Sequence, residues 1–283
     1  ADFDRFERFS GADYLEEENL VVYASDKIFL RSLSDGSERQ ITAGGRGEGS
    51  PRFSPDGRKI LFVSSTDAGR QIYTYDLKTS AVKQITSMGS PVMEPLWSPD
   101  GSRILFASPS GGGRPKTNHP DEAIVIEDFG YKFDGAGFYT PDSCMHLYVV
   151  SAEGGQAVCI TDGDFDYMHH SWSADGKSVI CCSSRFCAKE ESLRMDLLRI
   201  EAKENGQVTR LTEDLWLVSY PNPLRPTETP DGRYIVVGCM NLPDGIKMTE
   251  SMTYPEIYLY KVAADESGAE CIFEPSDNCF QCV

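Results

Sequence analysis

The sequence predicts an all-β fold, a β-propeller of four-stranded blades, on three observations. A Ser/Thr-Pro-Asp-Gly-like turn recurs as Phe53-Ser54-Pro55-Asp56-Gly57, Trp97-Ser98-Pro99-Asp100-Gly101, Trp172-Ser173-Ala174-Asp175-Gly176 and Thr229-Pro230-Asp231-Gly232. A short apolar run follows every copy. An alternating segment comes next, and after the first three copies a further segment ends in Leu/Ile-Thr. One supersecondary unit written repeatedly signals a repeat architecture, and four strands per unit make one propeller blade.

The turn has a mechanical reason. Pro presets φ at the second position, Ser and Asp side chains bond nearby backbone amides, and Gly accepts the positive φ that closes the corner.

The units follow in order. Leu20-Val21-Val22-Tyr23-Ala24, Lys27-Ile28-Phe29-Leu30 and Arg39-Gln40-Ile41-Thr42 form the first, over about 13–42, with the turn signature decayed. The second, about 50–86, carries Ile60-Leu61-Phe62-Val63, Gln71-Ile72-Tyr73-Thr74-Tyr75 and Lys83-Gln84-Ile85-Thr86. The third, about 94–161, carries Ile104-Leu105-Phe106-Ala107, His146-Leu147-Tyr148-Val149-Val150 and Val158-Cys159-Ile160-Thr161. In the fourth, about 169–212, the segments are Val179-Ile180-Cys181-Cys182, Asp196-Leu197-Leu198-Arg199-Ile200 and Thr209-Arg210-Leu211-Thr212. The fifth, about 225–274, has Ile235-Val236-Val237-Gly238 and Glu256-Ile257-Tyr258-Leu259-Tyr260. The apolar runs are short and rich in β-branched residues, as strands buried on both faces are. Five blades are visible, and residues 1–283 read as a single propeller domain or a fragment of one.

Composition narrows the function. The chain has 283 residues and 40% hydrophobic content, enough for one large all-β body. No stretch approaches the roughly 20 apolar residues that a bilayer-crossing helix needs. The net charge of −17, from 44 acidic and 27 basic residues, repels phosphate backbones and anionic membranes, so neither nucleic acid nor membrane is an expected partner. Nine cysteines show no framework spacing, and several sit inside strands, which points to a reducing, cytoplasmic compartment. Cys279 and Cys282 form the only C-x-x-C, without a second pair, so no metal or other cofactor is expected there.

The repeat breaks at one place above all. Ser54 to Ser98 is 44 residues, Ser98 to Ser173 is 75, and Ser173 to Thr229 is 56. The surplus falls between the second and third strands of the third blade, over 109–144. Long excursions in compact folds are binding loops, lids or disorder. The second half of this one, Ile124 to Tyr139, is too apolar and aromatic for a solvated polar loop. A smaller insertion, with Met240, Met248 and Met252, lies near 241–255.

Catalytic signatures are missing from these residues: the chain contains no G-x-S-x-G, G-x-x-x-x-G-K, G-x-G-x-x-G or H-E-x-x-H. No catalytic residue is therefore assigned. Of the four histidines, His119, His146, His169 and His170, the adjacent pair points to opposite faces of a strand and cannot chelate one ion without a bulge. The acidic pairs Glu127-Asp128 and Glu190-Glu191 could hold an ammonium, or belong to a generally acidic surface.

Tyr131-Lys132-Phe133-Asp134-Gly135-Ala136-Gly137-Phe138, His146 to Val150, Gly154-Gly155 and Ile160-Thr161-Asp162-Gly163-Asp164-Phe165-Asp166 resemble the propeller of S9 serine peptidases of the prolyl oligopeptidase clan. The acylaminoacyl-peptidase and dipeptidyl-peptidase branch is the nearest in pattern. The Ser-Pro-Asp-Gly repeats alone are also similar to those of TolB-type and oligogalacturonate-lyase propellers. The S9 resemblance implies a propeller of seven or eight blades joined to an α/β-hydrolase domain that carries the catalytic Ser, Asp and His. On that reading the chain is truncated, and its partners are a peptide substrate and the carboxy-terminal hydrolase domain. The propeller would gate and orient peptides, with Glu127, Asp128, Tyr131 and Lys132 as substrate-binding candidates by position alone. An open blade edge would also permit a homodimer. A stand-alone TolB-like binding propeller and a metal-dependent lyase-like propeller remain the alternatives.

Overall fold

The computed structural model describes residues 11–42, 46–67, 69–110, 132–133, 137–138, 144–186, 194–212, 217–218, 225–240 and 257–273. Every regular element among them is a strand. In chain order these are β1 (Ala12–Leu15), β2 (Leu20–Ser25), β3 (Lys27–Ser32), β4 (Glu38–Gln40), β5 (Arg46–Phe53), β6 (Lys59–Thr66), β7 (Gly69–Asp76) and β8 (Val82–Gln84). Then come β9 (Met93–Trp97), β10 (Arg103–Ser110), β11 (Lys132–Phe133), β12 (Gly137–Phe138), β13 (Cys144–Ser151) and β14 (Val158–Cys159). The remainder are β15 (Tyr167–Trp172), β16 (Ser178–Ser183), β17 (Arg194–Glu201), β18 (Val208–Arg210), β19 (Leu217–Val218), β20 (Thr227–Glu228), β21 (Tyr234–Met240), β22 (Ile257–Ala263) and β23 (Ala269–Phe273).

They form five four-stranded antiparallel blades. The orders are β1-β2-β3-β4, β5-β6-β7-β8, β9-β10-β13-β14, β15-β16-β17-β18 and β20-β21-β22-β23. The short β19 adds to β17, and β11 and β12 pair with each other inside the long insertion of the third blade. The insertion thus opens between the second and third strands, where the spacing places it.

Two compact units divide the chain: Ala1–Pro109 with Leu147–Cys159, and Ser110–His146 with Ile160–Val283. In the first, the apolar run of β6 serves two cores at once. Ile60 and Phe62 pack with Val22, Ile28 and Leu30 of the first blade. Leu61 and Val63 turn the other way, onto Val92, Ile104 and Phe106 of the third. Alternation on a strand sends neighbours to opposite faces, so a blade clasped on both sides needs an unbroken apolar run. In the second unit, Ile180 and Cys182 of β16 pack with Ile235, Val237 and Cys239 of β21.

All four turns are built alike. The hydroxyl of Ser54, Ser98, Ser173 or Thr229 donates to the Asp two residues on, at 2.6, 2.6, 2.7 and 2.6 Å. The same oxygen accepts the amide five residues on, from Lys59, Arg103, Ser178 and Tyr234. Gly57, Gly101, Gly176 and Gly232 take φ of 67°, 69°, 68° and 68°. In the first blade the turn survives without its signature. Asn19, at φ 52°, stands where the others have Gly, its amide bonded to the Glu16 carbonyl. Asn tolerates the left-handed region, so the corner forms and β1 precedes it.

Candidate functional site

The ends of the blades opposite these turns carry the insertions, and there the described polar residues gather at the foot of the long one. The segment 160–166 joins β14 to β15, β13 begins where the insertion returns, and Arg185 sits in the connection leaving β16. Asp166 Oδ1 accepts the Met145 amide at 2.7 Å, which ties the start of β13 to that segment. Beside it His146, buried, has Nδ1 2.9 Å from Thr161 Oγ1, and its ring lies 5.7 Å from that of fully buried Tyr167.

Arg185 completes the cluster. Its Nη1 donates to the Tyr167 hydroxyl at 2.9 Å and pairs with Asp162, while the Tyr167 hydroxyl donates to the Asp162 carbonyl at 2.9 Å. The bond to Tyr167 and the Asp162 charge raise the Arg185 pKa further, keeping the guanidinium charged. Burial raises Tyr167 above the ordinary phenol value, against the pull of Arg185. Burial likewise raises Asp166, although the Met145 amide and His146 oppose it. The Cys144 thiol is pushed up to about 11, first by burial and then by Asp166 and Asp164. A thiol held that high is neutral and unreactive at physiological pH.

This end of the blades therefore sets the guanidinium of Arg185 against Asp162, with Asp164 and Asp166 beside the Cys144 thiol. No three His, Cys, Asp or Glu side chains among the described residues converge as metal ligands. At the turn ends of the last two blades, a cleft of about 300 Å³ is lined by Asp175, Arg199, Glu228 and Asp231. Its acidic groups already serve the fold: Asp175 and Asp231 close their turns, and Glu228 pairs with Arg199.

Of the residues singled out from the sequence, Glu127, Asp128 and Tyr131 lie outside the described residues, as do His119, Glu190, Glu191, Met248, Met252, Cys279 and Cys282. Lys132 is placed by its backbone alone, opposite Phe138 in the small hairpin. The histidine pair requires a correction. Strand alternation does not govern His169 and His170, because the ladder slips between Met168 and Ser171 and His169 takes φ 51°. The bulge is recurrent: Ser50 at 53° and Glu94 at 50° stand, like His169, four residues before the turn Ser of their blades. Tyr167 and Arg185 were not singled out, and Asp166 stood only within a resembling segment without a role, since their partnerships join residues that only the blade arrangement brings together.

Comparison with known proteins bears on this architecture. A family model described as the TolB β-propeller domain matches residues 21–118. No curated protein matches by sequence. Among solved structures, TolB from Acinetobacter baumannii aligns with 96% of this chain at 21% identity and a TM-score of 0.57. The fold is a β-propeller. An acylaminoacyl peptidase from Pyrococcus horikoshii aligns with 96% of the chain at 20% identity and a TM-score of 0.63. An oligogalacturonate lyase in complex with manganese aligns with 96% at 13% identity and a TM-score of 0.59. The chain spans 55% of the Acinetobacter TolB and 40% of the peptidase.

Proposed function

We infer that this chain is the propeller of a serine peptidase of the acylaminoacyl-peptidase type, which admits peptides and orients them for an α/β-hydrolase domain. The observation that carries this reading is the structural overlap: the TM-score is 0.63 with the Pyrococcus peptidase against 0.57 with the Acinetobacter TolB. The long insertion with its acidic foot adds support. A field set by a net charge of −17 attracts the ammonium of a peptide amino terminus. A rigid ring around a nucleophile restricts the entry of folded proteins, which is a physical service to a peptidase.

A fluorophosphonate probe tests the proposal on the native protein, because it reacts covalently with an activated serine. Labelling of a polypeptide whose tryptic peptides include this sequence is the expected result. A native polypeptide that contains the sequence, stays unlabelled and cleaves no acylated peptide would overturn it. A second reading, a TolB-like binding propeller, draws on the family match over residues 21–118. That reading predicts stable capture of a protein or peptide with no turnover.

Two further assignments belong to the proposal. Exposed Ile272 and Phe273 on β23, the outermost strand of its blade, would let two copies pair edge to edge. A monomer by light scattering removes that assignment. Placement in the reducing cytoplasm draws on the free thiols of Cys144, Cys159, Cys181, Cys182, Cys239 and Cys271, and detection of the native protein in an oxidising compartment removes it.

A further inference from the structure

We propose that Asn205 is a modification site, a place of slow spontaneous deamidation gated by opening of the turn between β17 and β18. Asn205-Gly206 is the one Asn-Gly step in the sequence. In such a step the glycine amide nitrogen attacks the side-chain carbonyl carbon of the asparagine. The new N–Cγ bond closes a succinimide ring, the Cγ–Nδ2 bond breaks, and Nδ2 leaves as ammonia with the proton that the glycine nitrogen gives up. Water then opens the ring at either carbonyl, leaving aspartate or isoaspartate. Glycine favours the step because no Cβ shields the attacking nitrogen.

The structure leaves this side chain available and restrains only the nucleophile. Asn205 is exposed, and among the described residues no hydrogen bond engages its carboxamide. It takes φ 53° at the third position of the turn from Lys203 to Gly206, a place that asparagine fills more readily than most residues. The Gly206 amide donates to the Lys203 carbonyl at 3.1 Å. While that bond is made the turn is fixed, and the nitrogen reaches Cγ only when it opens. Opening is cheap there, because the turn is exposed and leads into β18, a three-residue strand at the edge of its blade. The Asp-Gly steps of the four repeat turns differ. Asp56, Asp100, Asp175 and Asp231 each accept a hydroxyl two residues before and an amide two residues after, which keeps them ionised and poor targets for attack.

The product does not fit the turn as the asparagine does. A Cβ on Gly206 would lie 2.3 Å from the Glu201 carbonyl oxygen, so the backbone passes strand β17 with no room to spare. Isoaspartate inserts one extra methylene into the backbone just before that contact. Either product also adds a negative charge to a turn that already carries Glu201 and Glu204. Deamidation therefore loosens β18 from β17. This inference does not rest on the peptidase reading, since it concerns only the hairpin at the outer edge of the fourth blade.

Tryptic mapping of the full chain, aged in mildly alkaline buffer, tests the site, with the chain unfolded in urea as reference. The peptide from Glu204 to Arg210 is expected to gain the mass of aspartate in place of asparagine and to split into aspartyl and isoaspartyl forms. Conversion should run about tenfold more slowly in the folded chain than in urea. An isoaspartyl methyl-acceptor assay should label the aged folded chain, and Asn205→Gly, which accepts the positive φ but lacks the carboxamide, should abolish the label. A folded chain that keeps its asparagine while the unfolded chain converts would overturn the site, and equal rates in the two would overturn the gating. If Asn205→Gly does not fold, fragmentation of the aged natural peptide decides: an isoaspartyl linkage at Asn205 supports the site, and its absence there refutes it.

Discussion

Arg199 Nη2 stands 2.5 Å from Glu228 Oε1, joining the fourth blade to the fifth through a carboxylate that is 4% exposed. The other oxygen of Glu228 accepts the Ala174 amide at 2.6 Å, so one buried side chain secures a β17 residue and the turn of the preceding blade. Glu228→Ala would leave a guanidinium and an amide without this partner, and is expected to cost about 2 kcal/mol. Glu228→Gln keeps one acceptor and should cost about half of that. Urea unfolding of both variants checks the order, and equal loss would show that the charge carries the whole stabilisation and the acceptor kept by Gln none of it.

The turn aspartates make the fold acid-sensitive at its corners. Asp100 is held at about 2, first by the Ser98 hydroxyl and then by the Ser102 amide and hydroxyl. Asp231 is held at about 2 in the same way by Thr229 and Arg233. A carboxyl depressed in the folded state stabilises above its unfolded pKa, near 4, and that contribution disappears as pH falls through its folded value. Thermal midpoints should therefore drop between pH 4 and 2. Ser98→Ala should return the Asp100 carboxyl toward 3.8, as read by carbon NMR, while Asp231 stays put.

Gly163 occupies φ +82°, and a Cβ there would lie 2.8 Å from two ring carbons of Phe165. Gly163→Ala combines a left-handed backbone with a ring that must move. A loss of about 1–3 kcal/mol is expected, together with a changed Phe165 ring environment in NMR. The foot of the insertion lies in the same segment, so exchange at Met145 should rise as well. A variant with natural stability and unchanged exchange would show that the Phe165 ring yields freely.

What the sequence reveals and what it conceals divides along the range of the interactions. The Ser54-to-Lys59 turn closes within six residues, so its bonds follow from local chemistry. Buried β6 was legible for the same reason, as four apolar residues in a row. Strand β1 was not, because Asn19 replaces the glycine that marks the other corners. The bulge at His169 is likewise a backbone event without a glycine signal, though Ser50 and Glu94 repeat its spacing. The cluster at the insertion foot depends on Met145 meeting Asp166 and Tyr167 meeting Arg185, 21 and 18 residues apart. No local pattern encodes such meetings.

The two-faced packing of β6 makes a last prediction about additivity. Ile60 and Leu61 are adjacent and fully buried, yet Ile60 lines the core shared with the first blade and Leu61 the core shared with the third. Each truncation to Ala should cost about 2–5 kcal/mol through lost burial and the cavity left behind. Sites without shared partners add to within about 0.5 kcal/mol, so Ile60→Ala with Leu61→Ala should equal the sum of the single changes. Leu61 and Phe106 line the same core. Their double truncation should depart from the sum by about 0.5–3 kcal/mol, since one cavity is enlarged rather than two created. Urea unfolding of the five variants decides it. Strong coupling between Ile60 and Leu61 would mean that a blade transmits packing strain through its own thickness.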